Sequence, residues 1–267
     1  MNNKIKIILN YLLLFILSLN LFLIIGLFIT KYTIMRPNYI ISRLNKINYY
    51  TELEKDIKTE MSYYTNQSGF EDDILDDTFT IDELKKETIT YIKNIYNGKE
   101  TKIDSSSFEE KLNNKINAFL ENENFKIDNR SEIDKFVTEM AKIYVKRIKV
   151  ISYLEKLNKI LPKLNKYMNK AITLSIISFV VLLTIKLIIN KFKHLNTIFY
   201  TNSFLIISSI IYVKNKVSIS NIFIYNKLFS KVVLSVVNNI INNLIIIAIL
   251  FIIIALISSI FKPKMEN

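Results

Sequence analysis

Residues 7–30 read IILNYLLLFILSLNLFLIIGLFIT, 24 positions without a charge. An apolar helix rises ~1.5 Å per residue and needs roughly 20 residues to cross a hydrocarbon core, so this stretch is long enough to span a bilayer. Lys4 and Lys6 precede it like the basic start of a signal peptide. The apolar run exceeds the roughly 7–15 residues of a cleaved leader, and no small-residue cleavage site follows, so the expectation is an uncleaved anchor.

Three further stretches have the same character. Residues 171–190 are interrupted only by Lys186, whose long stem can carry its ammonium to the interface. Residues 195–213 form a third span, with Asn196, Thr197, Thr201, Asn202 and Ser203 in its first half. The fourth, 244–261, is apolar apart from Ser258 and Ser259, with Asn238, Asn239, Asn242 and Asn243 at its entrance. Between the last two, 214–237 includes a short amphipathic segment with Lys227 and Lys231 on its polar side, a pattern expected at a membrane surface.

The 267 residues carry 36 basic and 24 acidic side chains, a formal charge of +12, and the excess is unevenly placed. Residues 31–170 hold 25 basic and 23 acidic residues, whereas the remainder holds 11 basic residues and one acid, Glu266. The acids therefore mark one domain, and the basic excess belongs to residues flanking apolar runs, which argues against a nucleic-acid partner. Only four cations are Arg, and the abundance of Lys, Ile and Asn resembles the codon usage of an A/T-rich genome.

Residues 31–170 number 140, enough to bury a core. Ile40, Leu44, Ile47, Tyr50, Leu53, Ile57, Met61 and Tyr64 recur every three or four residues, which places them on one helix face. Thr80 and Glu83 form a capping box, and the helix it opens stops at Asn97-Gly98. Ser107 and Glu110 repeat the box before Phe108, Leu112 and Ile116. Ser131 with Asp134 starts a long helix through Val137, Met140, Tyr144, Ile151 and Leu154, which should break or kink near Pro162. No segment alternates with period two, so the expected fold is all-α: about four transmembrane helices with a helical bundle between the first and second. The domains follow as 1–30, 31–170 and 171–267.

The chemistry available is narrow. With no Cys there are no disulfides, thiolate metal sites or thiol nucleophile, and the three glycines, at 26, 69 and 98, exclude a P-loop or a dinucleotide fingerprint. The run Glu71-Asp-Asp-Ile-Leu-Asp-Asp77 is the sharpest local feature. Asp72 with Asp76, or Asp73 with Asp77, would stand four apart on a helix face and could offer oxygens to a hard cation. There is no second acidic motif to complete a diphosphate–magnesium site, and acids also favour helix starts. His194, the one histidine, reads as an interfacial residue and not as part of a triad. Asn20 and the Asn238–Asn243 group could line a pathway or act as interhelical glue. The expectation is accordingly no enzyme activity, no catalytic, cofactor or metal residues, and no cofactor.

Orientation rests on conflicting charges. With the N-terminus inside, the cytoplasmic pieces 1–6, 190–197 and 262–267 carry 6 positive residues in 20, and the outer flanks 31–50, 151–170 and 214–236 carry 13 in 63. Density favours this orientation and raw count opposes it. The signal-anchor start decides for cytoplasmic termini and an extracellular 31–170.

The anchor helix, Ser68-Gly-Phe-Glu-Asp-Asp-Ile-Leu75, Phe79-Thr80, Ile95-Tyr-Asn-Gly-Lys99 and Ile103-Asp-Ser-Ser106 together resemble uncharacterised multi-pass membrane proteins of low-GC Gram-positive bacteria, over roughly residues 1–190. The resemblance implies a surface-facing helical domain on a plasma-membrane anchor and supplies no catalytic residues. A non-enzymatic protein whose domain binds a protein or cell-envelope partner is the leading expectation. A channel or transporter subunit using the polar faces of spans three and four is the alternative.

Overall fold

In a computed structural model, residues 3–123, 130–149, 155, 158–190, 193–216 and 227–260 are described, and they are all-helical apart from turns. The helices are α1 (Asn3–Tyr32), α2 (Pro37–Lys46), α3 (Tyr49–Gln67), α4 (Ile81–Asn97), α5 (Ser106–Asn122), α6 (Arg130–Ile148), α7 (Leu161–Asn190), α8 (Asn196–Lys216) and α9 (Lys227–Ile260), with a 3-10 turn at Asp72–Leu75. The chain divides into two compact units. One comprises 1–36, 163–225 and 233–267; the other comprises 37–162 with 226–232.

The first unit contains the four helices long and apolar enough to cross a membrane, which mark the chain as a membrane protein. They alternate in direction. Leu14 and Leu17 of α1 pack with Ile198 of α8, and further along Phe22 and Ile25 join Ile206 and Ile210, so α1 and α8 run parallel. Asn20 bonds Ser178 of α7, and Asn196 and Ser203 of α8 reach Ser259 and Ala248 of α9, which makes α7 and α9 antiparallel to them.

The fourth span begins earlier than its apolar run suggests. At 34 residues, α9 is about 51 Å long and exceeds a ~30 Å hydrocarbon core. The amphipathic segment read at 214–237 is therefore divided: 214–216 end α8, 217–226 lie outside the described residues, and 227–237 are the first turns of α9. Leu228 and Val232 are buried, and Lys231 pairs with Glu52 of α3 within the second unit. These turns pack on helical protein and do not form a separate surface helix.

The second unit is a bundle of α2–α6 in which α3 packs on α2, α4, α6 and the 3-10 turn. Leu53, Ile57 and Met61 of α3, Leu84, Ile92 and Ile95 of α4, Leu112 and Ile116 of α5, and Met140 and Ile148 of α6 are completely buried. Each such side chain contributes about 1.5–3 kcal/mol by leaving water. The stripe from Ile40 to Tyr64 is two helices and not one. The chain turns at Ile47-Asn48, where Asn48 adopts φ 53°, a conformation Asn tolerates better than most residues. Past that break Thr65, not Tyr64, completes the buried face.

The Thr80–Glu83 capping box is complete, with the Thr80 hydroxyl accepting from the Glu83 amide and the Glu83 carboxylate accepting from the Thr80 amide. The second expected box does not form, and α5 starts two residues earlier than that box would place it. Ser105 precedes α5 and donates through its hydroxyl to Glu109, while Asp104 accepts from the Ser106 amide. Helix α6 ends at Ile148, and Ile151 and Leu154 lie outside the described residues. The break expected near Pro162 falls just before it: 158–160 form a turn, and Pro162 occupies the first turn of α7, which runs on into the second span.

Gly98 ends α4 at φ 67°, and a Cβ there would stand 3.2 Å from the Pro162 ring. Both the left-handed backbone and the crowding disfavour a side chain, so Gly98→Ala should destabilise the protein by about 1–2 kcal/mol. Thermal unfolding in detergent checks this, and an unchanged midpoint contradicts the assigned packing of Gly98 against 158–162.

Candidate functional site

The acidic run does not form the helix face that its spacing allowed. Only Asp72–Leu75 coil, as a single 3-10 turn; Asp76 is extended, and Asp77 has φ 59°. Asp73 and Asp77 are exposed, and Asp76 meets Lys58 at 3.5 Å. Among the described residues, no three Asp, Glu or His side chains converge to hold a metal ion.

A different feature is assembled from α4, α5, α6 and the segments before α4 and α5. A cavity of about 200 Å³ is lined by Thr78, Phe79, Glu83, Lys86, Glu87, Asp104, Ser107, Phe108 and Tyr144. Its base is aromatic. Phe108 and Tyr144 stack with centroids 5.0 Å apart and planes 3° from parallel, and Phe79 tilts against both. All three rings are at least 97 % buried.

Carboxylates surround this base. Burial, followed by the negative charges of Glu87, Glu83 and Asp104, pushes the Tyr144 phenol above its ordinary range. Desolvation acts to raise Glu83, but bonds from Lys111 at 2.6 Å and from Thr80 outweigh it and leave the carboxyl below the usual glutamate range. Hydrogen bonds from Ser106 hold Asp104 low as well. Glu87 forms no ion pair with a described residue. Lys86 is the one cation of the lining and is exposed at its edge.

Carboxylates and a phenol oxygen accept hydrogen bonds, and buried aromatic rings favour an apolar stem or a cation. The lining therefore suits a donor-bearing organic cation such as a lysine or arginine side chain. A larger groove of about 510 Å³ between the start of α5 and α6 is more open, and its Lys142, Lys146 and Lys149 are already paired with Glu139, Glu60 and Glu155. The sequence showed Phe108 and Tyr144 as core stripes and Glu83 as a cap. It carried no signal that three chain segments bring them together with Glu87 and Asp104.

The polar residues of the spans are used locally. Ser18, Thr30, Thr173, Thr184 and Ser209 donate to carbonyls four residues back in their own helices. Asn20–Ser178, Asn196–Ser259 and Ser203–Ala248 tie helices together. Lys186 is fully buried within its unit and donates to the Lys193 carbonyl, 2.8 Å away in the turn after α7. His194 has φ 61° beside the ring of Tyr11. Asn238, Asn242 and Asn243 are exposed and Asn239 is half-buried, so this group does not line the interior of its unit.

No family model, curated protein or solved structure matches the chain.

Two outcomes follow. Asn20→Ala should lower stability in detergent by about 0.6–2 kcal/mol through loss of the tie to Ser178; an unchanged unfolding midpoint contradicts that role. Because the folded pKa of Glu83 is depressed, its stabilising effect is present above the ordinary glutamate value of 4.5 and is lost as pH falls through the lower folded value. Stability of wild type relative to Glu83→Gln should therefore decline on acidification below that point, and a constant difference down to strong acid contradicts the assignment.

Proposed function

We propose that the protein is a non-enzymatic plasma-membrane protein with cytoplasmic termini, whose helical domain stands outside the cell and binds a protein or cell-envelope partner through the carboxylate-rimmed aromatic cavity. The observation that carries this reading is the cavity itself, where Glu83, Glu87 and Asp104 stand around the stacked rings of Tyr144 and Phe108. A cationic side chain of the partner, seated on Phe79 and Phe108, donates to these carboxylates. Binding by a desolvated anchor of this kind concentrates energy at few residues. The resemblance to multi-pass membrane proteins of Gram-positive bacteria supports the cell-envelope setting.

A photo-crosslinking residue at exposed Ser107 of the full-length protein, in native membranes, should capture a partner. Glu87→Gln with Tyr144→Phe should reduce capture about tenfold or more, because hydrogen bonds to charged groups contribute about 1.5–3 kcal/mol. Failure to capture any partner, or equal capture by the folded double variant, overturns the proposal.

A further inference from the structure

The membrane unit contains no carboxylate among its described residues; Glu266 is the only acid in its sequence. Its cations therefore have no counter-charge among the unit's described residues. They gather at one end, where α1 finishes, α7 begins and α8 finishes. Lys31, Arg36, Lys163, Lys166, Lys170 and Lys214 stand there, and none forms an ion pair with a described residue. All but half-buried Lys31 are exposed. At the opposite end the exposed cations of the described residues are Lys6 and Lys193.

The same end carries an aromatic belt. Tyr32, Tyr167 and Tyr212 are 42 %, 65 % and 65 % exposed, an unusual degree for rings on packed helices unless the surroundings are themselves amphipathic. The Arg36 guanidinium lies 4.5 Å from the Tyr32 ring centre and the Lys31 ammonium 5.4 Å from it, which holds both cations beside the ring. Tyr11, near the other end of α1, is also exposed, and the 21-residue rise from it to Tyr32 is about 32 Å, close to the thickness of a hydrocarbon core. Tyrosines at that separation mark the two lipid interfaces. Helix α7 extends ten residues beyond the apolar run at 171–190, and this extension holds Lys163, Lys166 and Lys170 at three- and four-residue spacing on one face.

We infer that this rim of the membrane unit binds the headgroups of anionic phospholipids, with Lys163, Lys166 and Lys170 of α7 as its principal contacts and Lys31, Arg36 and Lys214 completing it. Phosphate supplies the counter-charge that the unit lacks, and the lipid's chains lie along the apolar surface directly below. A soluble phosphate offers the charge without the chains. The inference rests on the membrane unit alone and stands whichever partner the helical domain takes.

The test uses the full-length protein in a neutral detergent, with native mass spectrometry reading bound phosphatidylglycerol, phosphatidylcholine and glycerol phosphate. Phosphatidylglycerol should bind selectively, and Lys163→Gln with Lys166→Gln and Lys170→Gln should weaken it on the order of 10- to 100-fold, as expected for three juxtamembrane cations. Lys6→Gln with Lys193→Gln should leave it nearly unchanged. If the triple variant misfolds, Lys31→Gln with Lys214→Gln reads the same rim and should weaken binding several-fold. Equal binding of phosphatidylcholine, equal binding of glycerol phosphate, or equal loss in the Lys6/Lys193 variant overturns the inference.

Discussion

Inside hydrocarbon a peptide group has no water to bond, and a charged side chain has no counter-ion, so the backbone must coil and the charges must leave. Most of the organisation of this protein follows from that constraint. Four apolar helices satisfy their own ladders, side-chain hydroxyls turn back onto carbonyls four residues away, and asparagines find serines on neighbouring helices. The one cation within the spans, Lys186, is fully buried and meets a carbonyl in the turn between α7 and α8. With no carboxylate among the described residues of the membrane unit, the cations at its ends have no described acid of their own unit to pair with.

The bundle obeys the opposite balance. It holds nearly all the acids of the chain and almost as many cations as acids need, and its surface is laced with pairs such as Lys111–Glu83 and Arg147–Glu60. Surface pairs of this kind contribute little individually. Stability comes instead from the apolar and aromatic interior, which also buries phenols without partners: burial pushes Tyr50 up to about 12, and its hydroxyl meets no described residue. Tyr144 instead lines a cavity, which is the difference between a core residue and a candidate anchor for a ligand.

Much of this was legible in the sequence, for a physical reason. An uninterrupted apolar run permits few structures, so all four spans and the all-α class could be read directly, and Thr80, Glu83 and Gly98 announced the ends of α4. Where several local solutions compete, reading failed. The stripe from Ile40 to Tyr64 keeps its period across a left-handed Asn48, so periodicity alone could not reveal the break. The aspartates at 72–77 suit a helix but take one 3-10 turn. The cavity was invisible because Glu87, Asp104 and Tyr144 are separated in sequence and meet only through the packing of three helices.

The central claim is that the helical domain and the turn between α7 and α8 lie on opposite sides of a membrane, with the domain outside. Single cysteines at Asn122 and Lys193, both exposed in a chain without native Cys, read this directly with an impermeant maleimide on intact cells. The account predicts labelling at 122 in intact cells and at 193 only after permeabilisation. Labelling of both positions in intact cells would contradict the four spans, and labelling of 193 alone would contradict the external domain.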